Sequence, residues 1–585
     1  EGRLVKVEGD ENHPVTQGRL CPRCIALKDY VYHPARILVP LKRDRADRGK
    51  ADAWEECSWD EAFGIVKENY ERICAEYGPE SIIGMSGTGR EGGTMSLYPT
   101  MVFGTPNYCY MQSGYACYTP RLAAAAYITG TTYAEWDYSG ALPGRWDDER
   151  YELTECLVIW GKAPLESNPD GFFGHAVVDA MRRGMRIIQI DPRVNWLSAR
   201  ADILLQLRSG TDTALAMAML NIIIEEDLYD HDFVEYWCYG FDQLAERVRT
   251  MPPEKAAEIC QVPAEDIAAA ARFYAGAERG AIQWGLAFEQ QIAALGVTEA
   301  VADLMAITGN IDNPGGNALY RCAFLIEKRY GLGDEYIDPE VYAKKLIPAT
   351  SGINESNIVS CADTDAILAA IETGEPYPIK AMFMMQNNAI ACMGAQPQRI
   401  LPALQKMEFN VVVDLFLTPT ALACADVLLP AACFAERIGI TGHQPYALGA
   451  IAQAVEPLGE CKSDQRIIYE LGDRFAGRDH RPWDSEQDFY DYLLRSTGFT
   501  YDSLKERAWA YPEFEYKKYE KGLLRPDGTP GFATSTGRYN FYCAEMAYFG
   551  FSPFATYEEP PESPVSAPEL AEKYPLVLTT GARKW

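Results

Sequence analysis

The sequence predicts an α/β protein made of two doubly wound α/β domains related by an internal quasi-repeat, with a small N-terminal β remnant. Three observations predict this fold. Two βαβ stretches share one layout, helical segments separate them, and the opening "GRLVKVEGDENHPV" alternates polar and apolar residues as a hairpin does. The length of 585 residues is enough for several domains.

Each βαβ stretch begins with an apolar strand and ends with a strand that closes on an aspartate. The first runs "CLVIWGKAPLES", "GFFGHAVVDAMRRG" and "MRIIQID", up to Asp191, and the second runs "IKAMFMMQNNAIA", "QPQRILPALQKM" and "FNVVVDL", with Asp414. An "AD" pair then precedes another apolar strand, at Asp202 and at Asp426. Because βαβ units are common in large α/β proteins, a chance similarity is the alternative to a repeat.

The carboxyl edges of such sheets bind ligands, since their turns expose backbone N–H groups and strand-end carboxylates accept hydrogen bonds. Two units therefore predict two nucleotide moieties. Neither turn has the glycine pattern of ordinary dinucleotide binding, which makes NAD a poor candidate.

Composition excludes several classes of function. A net charge of −29 disfavours nucleic acid as a partner, because phosphate binding needs clustered basic residues. No apolar run reaches the ~20 residues that span a bilayer, so no direct membrane span is expected. The 16 cysteines are dispersed, which fits reduced thiols and a cytosolic or anaerobic setting better than a disulfide framework.

Two cysteines in "GTPNYCYMQSGYACYTPR" are candidates for chemistry. Cys117 precedes Thr119 and Pro120, which are typical of a helix start, and the positive end of a helix dipole favours the thiolate. Cys109 lacks that placement. Most cysteines before helices are inert, however, and an inert Cys117 is the alternative.

A CxxC pair, Cys21 and Cys24, lies near the start of the chain. It is compatible with half a zinc site, a redox pair, or part of an iron–sulfur set with other ligands upstream. Elsewhere, Gly210 and Asp212 stand at a helix start, where they could bind a ligand or simply cap the helix.

The chain resembles the catalytic subunit of the molybdopterin oxidoreductases, the dimethyl sulfoxide reductase superfamily, over nearly its whole length. Single motifs are weak, but their order is specific. They are "GRLVKVEGDENHPVTQGRLCPR", "SWDEAF", "GPESI", "FGTPN", "IDPR", "RSGTDTALAMAMLNIIIEEDLYDHDFV", "ITGNIDNPGGNAL", "ADVLLPA" and "EPLGECKSD".

The resemblance implies molybdenum or tungsten held by two molybdopterin guanine dinucleotides, in agreement with the two βαβ units. Cys117 then takes the position of the protein's metal ligand, and Tyr118 beside it is a candidate proton donor. Cys21 resembles the last of four cysteines of a [4Fe–4S] cluster, whose other ligands would lie upstream, and Arg23 resembles the basic residue between cluster and pterin. Cys24 departs from the family's glycine.

The resemblance also implies residues that bind the pterin nucleotides. The turn around one nucleotide and its guanosine contacts correspond to Trp160, Gly161, Glu166, Ser167, Asp191, Arg193, Gly210 and Asp212. Further contacts, mainly to the second nucleotide, correspond to Gly285, Asn388, Asp414, Arg437 and Asp464. Ala163 replaces the usual asparagine of the first turn.

Domain limits follow from the same resemblance. Residues 1–45 are expected to be a remnant of the iron–sulfur domain, 46–140 with 330–565 a discontinuous pterin-nucleotide domain, and 141–329 the second such domain. A proline-rich linker separates them from residues 570–585, expected to form the first strand of a truncated cap domain. The chain is thus expected to be a fragment of a longer protein.

The implied activity is two-electron redox chemistry on a small-molecule substrate, with electrons passing through the cluster to an iron–sulfur partner subunit. Tyr118 replaces the histidine of formate dehydrogenases, and the nearby aromatic residues favour reductive dehydroxylation of an aromatic compound or reduction of a sulfur compound. A non-redox hydratase and a non-catalytic electron-transfer subunit are the alternatives. A prokaryotic anaerobe is expected, with the enzyme in the cytoplasm or exported folded by a twin-arginine signal.

Overall fold

The computed structural model describes residues 2–13, 16–87, 103–109, 119–142, 144–167, 172–319, 336–347, 362–392, 397–443, 447–507, 509–510 and 514–579. The chain forms two compact units. The first unit comprises Glu1–Val7, Arg23–Tyr115 and Arg321–Pro512, and the second unit comprises Glu8–Pro22, Ala116–Tyr320 and Glu513–Trp585.

Strands are short and are numbered in chain order. They are β1 Leu41–Lys42, β2 Glu55–Glu56, β3 Ile82–Ser86, β4 Tyr108–Cys109, β5 Ala134–Trp136, β6 Cys156–Trp160, β7 Arg186–Ile190, β8 Ile203–Leu205, β9 Cys238–Tyr239, β10 Gly280–Trp284, β11 Asn317–Leu319, β12 Ala381–Met385, β13 Phe409–Asp414, β14 Val427–Pro430, β15 Gly439–His443, β16 Ala447–Ile451, β17 Trp509–Ala510 and β18 Tyr539–Asn540.

The α-helices are numbered in the same way. They are α1 Pro22–Ile25, α2 Leu27–Val31, α3 Trp59–Tyr77, α4 Thr119–Ile128, α5 Pro164–Ser167, α6 Phe172–Arg182, α7 Asp212–Glu225, α8 His231–Trp237, α9 Phe241–Val248, α10 Pro253–Cys260, α11 Ala264–Ala275, α12 Ala294–Ile307, α13 Pro339–Tyr342, α14 Thr364–Thr373, α15 Ala389–Cys392, α16 Pro397–Lys406, α17 Pro419–Cys424, α18 Asp464–Ala476, α19 Glu486–Leu494, α20 Tyr501–Arg507, α21 Ala544–Tyr548 and α22 Pro568–Lys573. Among the described residues, none of them has both the length and the apolar character that crossing a bilayer requires.

The main sheet of the first unit has the order β2-β1-β14-β13-β12-β3-β4. The five strands from β14 to β4 run parallel, and the β1–β2 pair closes the edge in antiparallel fashion. The parallel strands are continuously apolar because helices cover both faces of the sheet. Phe383 and Val411 lie in the core that includes α3, while Met382 and Val412 lie in the core on the opposite face.

The main sheet of the second unit is fully parallel, with the order β10-β6-β7-β8. Helices α7 and α12 are mostly apolar, which is typical of helices buried on all sides. Residues 212–223 of α7 are all buried, as are Val297 to Ile307 of α12.

The two sheets confirm the predicted quasi-repeat. Strands β3, β12, β13 and β14 stand in the same spatial order as β10, β6, β7 and β8, so each sheet reverses its strand order at one point, β3/β12 or β10/β6. The "AD" aspartates also match. Asp202 accepts the N–H of Ile187 at 2.9 Å and Asp426 accepts the N–H of Asn410 at 2.8 Å, each on the second residue of the central strand.

The units differ from the domain limits expected from the sequence. Residues 116–140 and 513–565 belong to the second unit. A buried ion pair contributes to this arrangement. The Lys518 ammonium donates to Oδ1 of Asp312, which lies in the turn between α12 and β11, at 2.5 Å. Tyr519 also stacks on Phe532, 5.2 Å between ring centroids, and contacts Phe233 edge-on.

In the described parts of both chain ends, the expected strands are not formed. Described residues before Leu41 form a turn, in which the Gly18 N–H donates to the Asp10 carbonyl at 2.8 Å, and the short helices α1 and α2. Residues 574–579 contain no strand, and Leu576 and Leu578 are largely exposed. An apolar segment forms a strand only where a neighbouring strand pairs with it.

The matched aspartates allow a direct stability comparison. Asp426→Ala leaves the Arg48 guanidinium, whose side chain is 5% exposed, buried without its carboxylate, and should lower the free energy of unfolding by about 3–5 kcal/mol. Asp202→Ala should cost only about 1–2 kcal/mol, because its partner Arg186 is 57% exposed and mainly one backbone hydrogen bond is lost. Calorimetric unfolding of both variants measures the two losses in free energy. Equal losses would contradict the conclusion that Asp426 neutralises a buried charge and Asp202 does not.

Candidate pterin-nucleotide site

In the second unit, two strand-end turns touch through their backbones. Gly161 follows β6 and Gly285 follows β10, on the two sides of the point where the strand order reverses. The Gly285 N–H donates to the Trp160 carbonyl at 2.9 Å, and the Gly161 N–H donates to the Ile190 carbonyl at 2.8 Å. A Cβ atom at position 285 would lie 2.1 Å from the Gly161 oxygen, so only glycine fits there.

The first unit has the same contact at its own reversal point. Gly87 follows β3 and Gln386 follows β12, and a Cβ atom at position 87 would lie 2.2 Å from the Gln386 oxygen. Gln386 has φ of 54°, close to the 58° of Gly161. Neither Gly87 nor Gln386 was predicted from the sequence, and their positions directly after repeat-related strands are the signal that could have identified them.

Buried carboxylates line the carboxyl edge of the second unit. The Trp160 indole N–H donates to Asp212 Oδ1 at 2.9 Å, and Gln291 Nε2 lies 3.4 Å from Oδ2. Asp191 Oδ1 accepts the Arg193 N–H at 2.8 Å. Burial raises the pKa of both aspartates above its ordinary value, although these hydrogen bonds oppose the shift.

The first unit places two carboxylates at its equivalent edge. Asp464, the first residue of α18, accepts a hydrogen bond from Gln386 Nε2 at 2.7 Å. Asp414 accepts the backbone N–H groups of Leu415 at 2.6 Å and Phe416 at 3.3 Å. Burial raises the pKa of Asp414 to about 6, and the neighbouring charge of Asp464 contributes to the increase.

Other predicted contacts lie beside these edges. Ser167 Oγ donates to the Ala163 carbonyl at 3.0 Å in α5, and the charge of nearby Glu166 raises the pKa of Asp191. Gly210 has φ of 84°, and a Cβ atom there would lie 2.5 Å from Pro560 Cγ.

In the first unit, Asn388 Oδ1 accepts the Thr420 hydroxyl at 2.7 Å, and Arg437 is 8% exposed. The structure therefore brings Trp160 to Asp212, Gly161 to Gly285 and Asp414 near Asp464.

The predicted metal ligands are only partly described. Cys117 and Tyr118 lie outside the described residues. Cys21 is buried, Arg23 is exposed in α1, and Cys109 is fully buried in β4. In the part of the chain that the structure describes, no group of three or more His, Cys, Asp or Glu side chains could hold a metal ion.

Part of the aromatic segment from Tyr108 to Trp146, which was expected to face a substrate, lies in the core, and residues 110–118 of it lie outside the described residues. Trp136 and Tyr138 are buried and pack against Phe173, with 5.6 and 6.1 Å between ring centroids. The Tyr108 hydroxyl is hydrogen-bonded to Ser86 at 2.7 Å. These three side chains are therefore not available to stack on a substrate ring, because the core already encloses them.

Each edge combines a close backbone contact with hydrogen-bonded carboxylates. A glycine-only backbone contact lets a bulky ligand approach the strand ends closely, and the adjacent carboxylates are acceptors for the N–H and O–H groups of a nucleoside.

Comparison with protein families identifies the family of this chain. The family model "Molybdopterin oxidoreductase" matches residues 36–474, and "Molybdopterin oxidoreductase Fe4S4 domain" matches residues 1–33. The chain belongs to the molybdopterin oxidoreductase family.

Individual relatives support the assignment over the whole chain. The acetylene hydratase of Syntrophotalea acetylenica is 30% identical over 100% of this chain and 80% of its own. Formate dehydrogenase H of Escherichia coli is 29% identical over 99% of this chain and 78% of its own. The solved acetylene hydratase from Pelobacter acetylenicus superposes with a TM-score of 0.83 at 28% identity, covering 98% of this chain and 78% of that one.

The protein is thus a molybdopterin-dependent oxidoreductase of mixed α/β fold. Its cofactors are a molybdenum or tungsten molybdopterin and a [4Fe–4S] cluster, as predicted from the sequence.

The strand-end contact can be tested with Gly285→Ala. The added methyl group has no space beside the Gly161 oxygen, so we expect a loss of about 1–3 kcal/mol in stability. We also expect less guanine nucleotide to be released on acid treatment. The control is Gly64→Ala on the exposed face of α3, where nothing lies within 4 Å and alanine should stabilise by about 0.5–1 kcal/mol. Unchanged nucleotide content in Gly285→Ala would exclude this edge as the binding site.

Proposed function

We propose that the chain is a catalytic subunit that carries a bis-molybdopterin guanine dinucleotide and performs two-electron redox chemistry on a small organic or inorganic substrate. The observation that carries the proposal is the matched edge in each unit, Gly161 with Gly285 and Gly87 with Gln386. Each unit offers one strand edge with a glycine contact and adjacent carboxylates that are buried or, in Asp414, half-buried. Two such edges correspond to two nucleotides.

In the second unit, one nucleotide would contact the turn from Trp160 to Ser167. Asp191 and Asp212 supply acceptors for the ribose hydroxyls and the guanine N–H groups, since a carboxylate accepts two parallel N–H bonds. Arg193 and Gly210 lie next to these two aspartates in sequence. Trp160 fixes Asp212 Oδ1 through its indole N–H and Gln291 lies 3.4 Å from Oδ2, and each carboxylate oxygen keeps a second lone pair for a ligand.

In the first unit, Asp414 and Asp464 would have the same task for the second nucleotide. Gln386 orients Asp464 as Trp160 orients Asp212, although the donors are different residues. Arg437 supplies a buried positive charge for a phosphate, and Asn388 stands at the turn after β12.

Cys117 is the proposed protein ligand of the metal, and Tyr118 the proposed proton donor to the substrate. When bound, the metal cofactor would supply two-electron redox chemistry for the substrate. Cys21 would be one cluster ligand and Arg23 the basic residue between cluster and pterin. A partner iron–sulfur subunit would take up or deliver the electrons.

The substrate class remains a choice between aromatic dehydroxylation and sulfur-compound reduction. Trp136 and Tyr138 lie in the core and offer no surface for an aromatic ring. Among the described residues these two rings give no support to an aromatic substrate, and we propose reduction of a sulfur compound; Tyr110, Tyr115 and Tyr118 of the same segment lie outside the described residues.

Anaerobic purification tests the proposal. The protein should contain molybdenum or tungsten and release guanine on acid treatment, and Cys117→Ala should abolish turnover. Cys109→Ala is the matched control, because this cysteine is buried in β4 and should be dispensable for turnover. Absence of both metal and guanine would overturn the proposal, and equal losses in the two variants would overturn the ligand assignment.

A non-redox hydratase is the second candidate, because the chain is 30% identical over its full length to a protein named acetylene hydratase. The two candidates differ in their need for an electron donor or acceptor. Turnover that continues without either would favour the hydratase, and turnover that requires one would favour the oxidoreductase.

A further inference from the structure

A buried arginine joins three elements of the second unit. Arg121 lies in the first turn of α4, four residues after Cys117, and is 5% exposed. Its Nε donates to Glu289 in the turn after β10, and its Nη1 lies 3.4 Å from Glu135 in β5. The Arg121 guanidinium therefore connects the start of α4 to the turn that begins with Gly285.

Aromatic rings complete the surroundings of this guanidinium. Its Cζ lies 4.8 Å from the ring centroid of Tyr133 and 5.3 Å from that of Trp284, the last residue of β10. A guanidinium that is paired with carboxylates and lies against rings is fixed in one orientation, since each contact constrains a different part of the group. The side chain thus holds α4 in a defined register against the strand end.

Two polar groups beside Arg121 lack hydrogen-bond partners, which a purely structural ion pair would not require. Among the described residues, Glu289 Oε2 and the Trp284 indole N–H are buried and have no hydrogen-bond partner. Buried polar groups in proteins are normally satisfied, so an unused acceptor and an unused donor on two residues that contact Arg121 call for a functional explanation.

We propose that Arg121 and Glu289 form a positioning pair that fixes the first turn of α4, which begins two residues after Cys117 in sequence, relative to the strand edge that begins at Gly285. The proposal rests on the proposed function, because it assigns the pair a role in placing the metal ligand. Arg121 and Glu289 act through the chain that they hold. They are not catalytic residues.

Hydrogen exchange on cofactor-free protein tests the positioning directly. In Arg121→Met, residues 123–128 of α4 should exchange about tenfold faster, because the anchor of the first turn is lost. The control is Arg279→Met, which removes more exposed ion pairs with Glu152 and Glu155, next to the first residue of β10 at the other end of that strand. It should leave α4 exchange within about twofold of the original protein. Equal acceleration of α4 in both variants would overturn the proposal.

Conservative substitutions, and measurements on the cofactor-loaded protein, distinguish a positioning role from a general folding defect. Arg121→Lys keeps the charge but not the planar fork, and should restore part of the slow exchange. Glu289→Gln, a second route if Arg121→Met fails to fold, should accelerate α4 exchange in the same direction. In the loaded protein, Arg121→Met should show lower metal content and a broadened electron paramagnetic resonance signal of the metal, neither of which Arg279→Met should show.

The outcomes distinguish this proposal from the proposed function. If no form of the protein binds metal or guanine nucleotide, the proposed function fails, while the exchange comparison still decides whether Arg121 anchors α4. If all forms bind metal with the same signal and α4 exchange is unchanged in Arg121→Met, the positioning pair is refuted and the proposed function stands.

Discussion

The close backbone contact between two strand-end turns is the constraint on which each unit depends. Parallel strands end at a common edge, and the strand order reverses between β10 and β6 and between β3 and β12. At each reversal a glycine lies against the carbonyl of the neighbouring turn, so close that any side chain would collide. Asp212 and Asp464, the first residues of α7 and α18, lie at these edges.

The two units meet the same requirement with different residues. Trp160 fixes Asp212 in one unit, and Gln386 fixes Asp464 in the other. Gly161 and Gln386 share a positive φ, although one has no side chain and the other a long polar one. The repeat is therefore preserved in backbone geometry and in the position of the acceptors more than in residue identity. Carboxylates kept buried beside apolar strand ends cost stability, which is typical of binding sites.

Long-range ion pairs assemble each unit from distant parts of the chain. In the first unit, the Arg36 guanidinium donates to both carboxylate oxygens of Glu436, 400 residues away, and both side chains are almost fully buried. In the second unit, Lys518 and Asp312 have the same role. A buried charge that loses its partner is strongly destabilising, so these pairs fix which segments belong together.

The sequence by itself determined the local elements and the family. The predicted run "MRIIQID" forms β7 within one residue at each end, and "GFFGHAVVDAMRRG" forms α6, because five-residue apolar runs and helical periodicity are local properties. The tertiary structure alone decided that Gly87 meets Gln386, that residues 513–565 join the second unit, that Trp136 and Tyr138 are buried, and that residues 574–579 form no strand. These outcomes depend on which distant segments become neighbours in space, and periodicity along the chain does not predict those contacts.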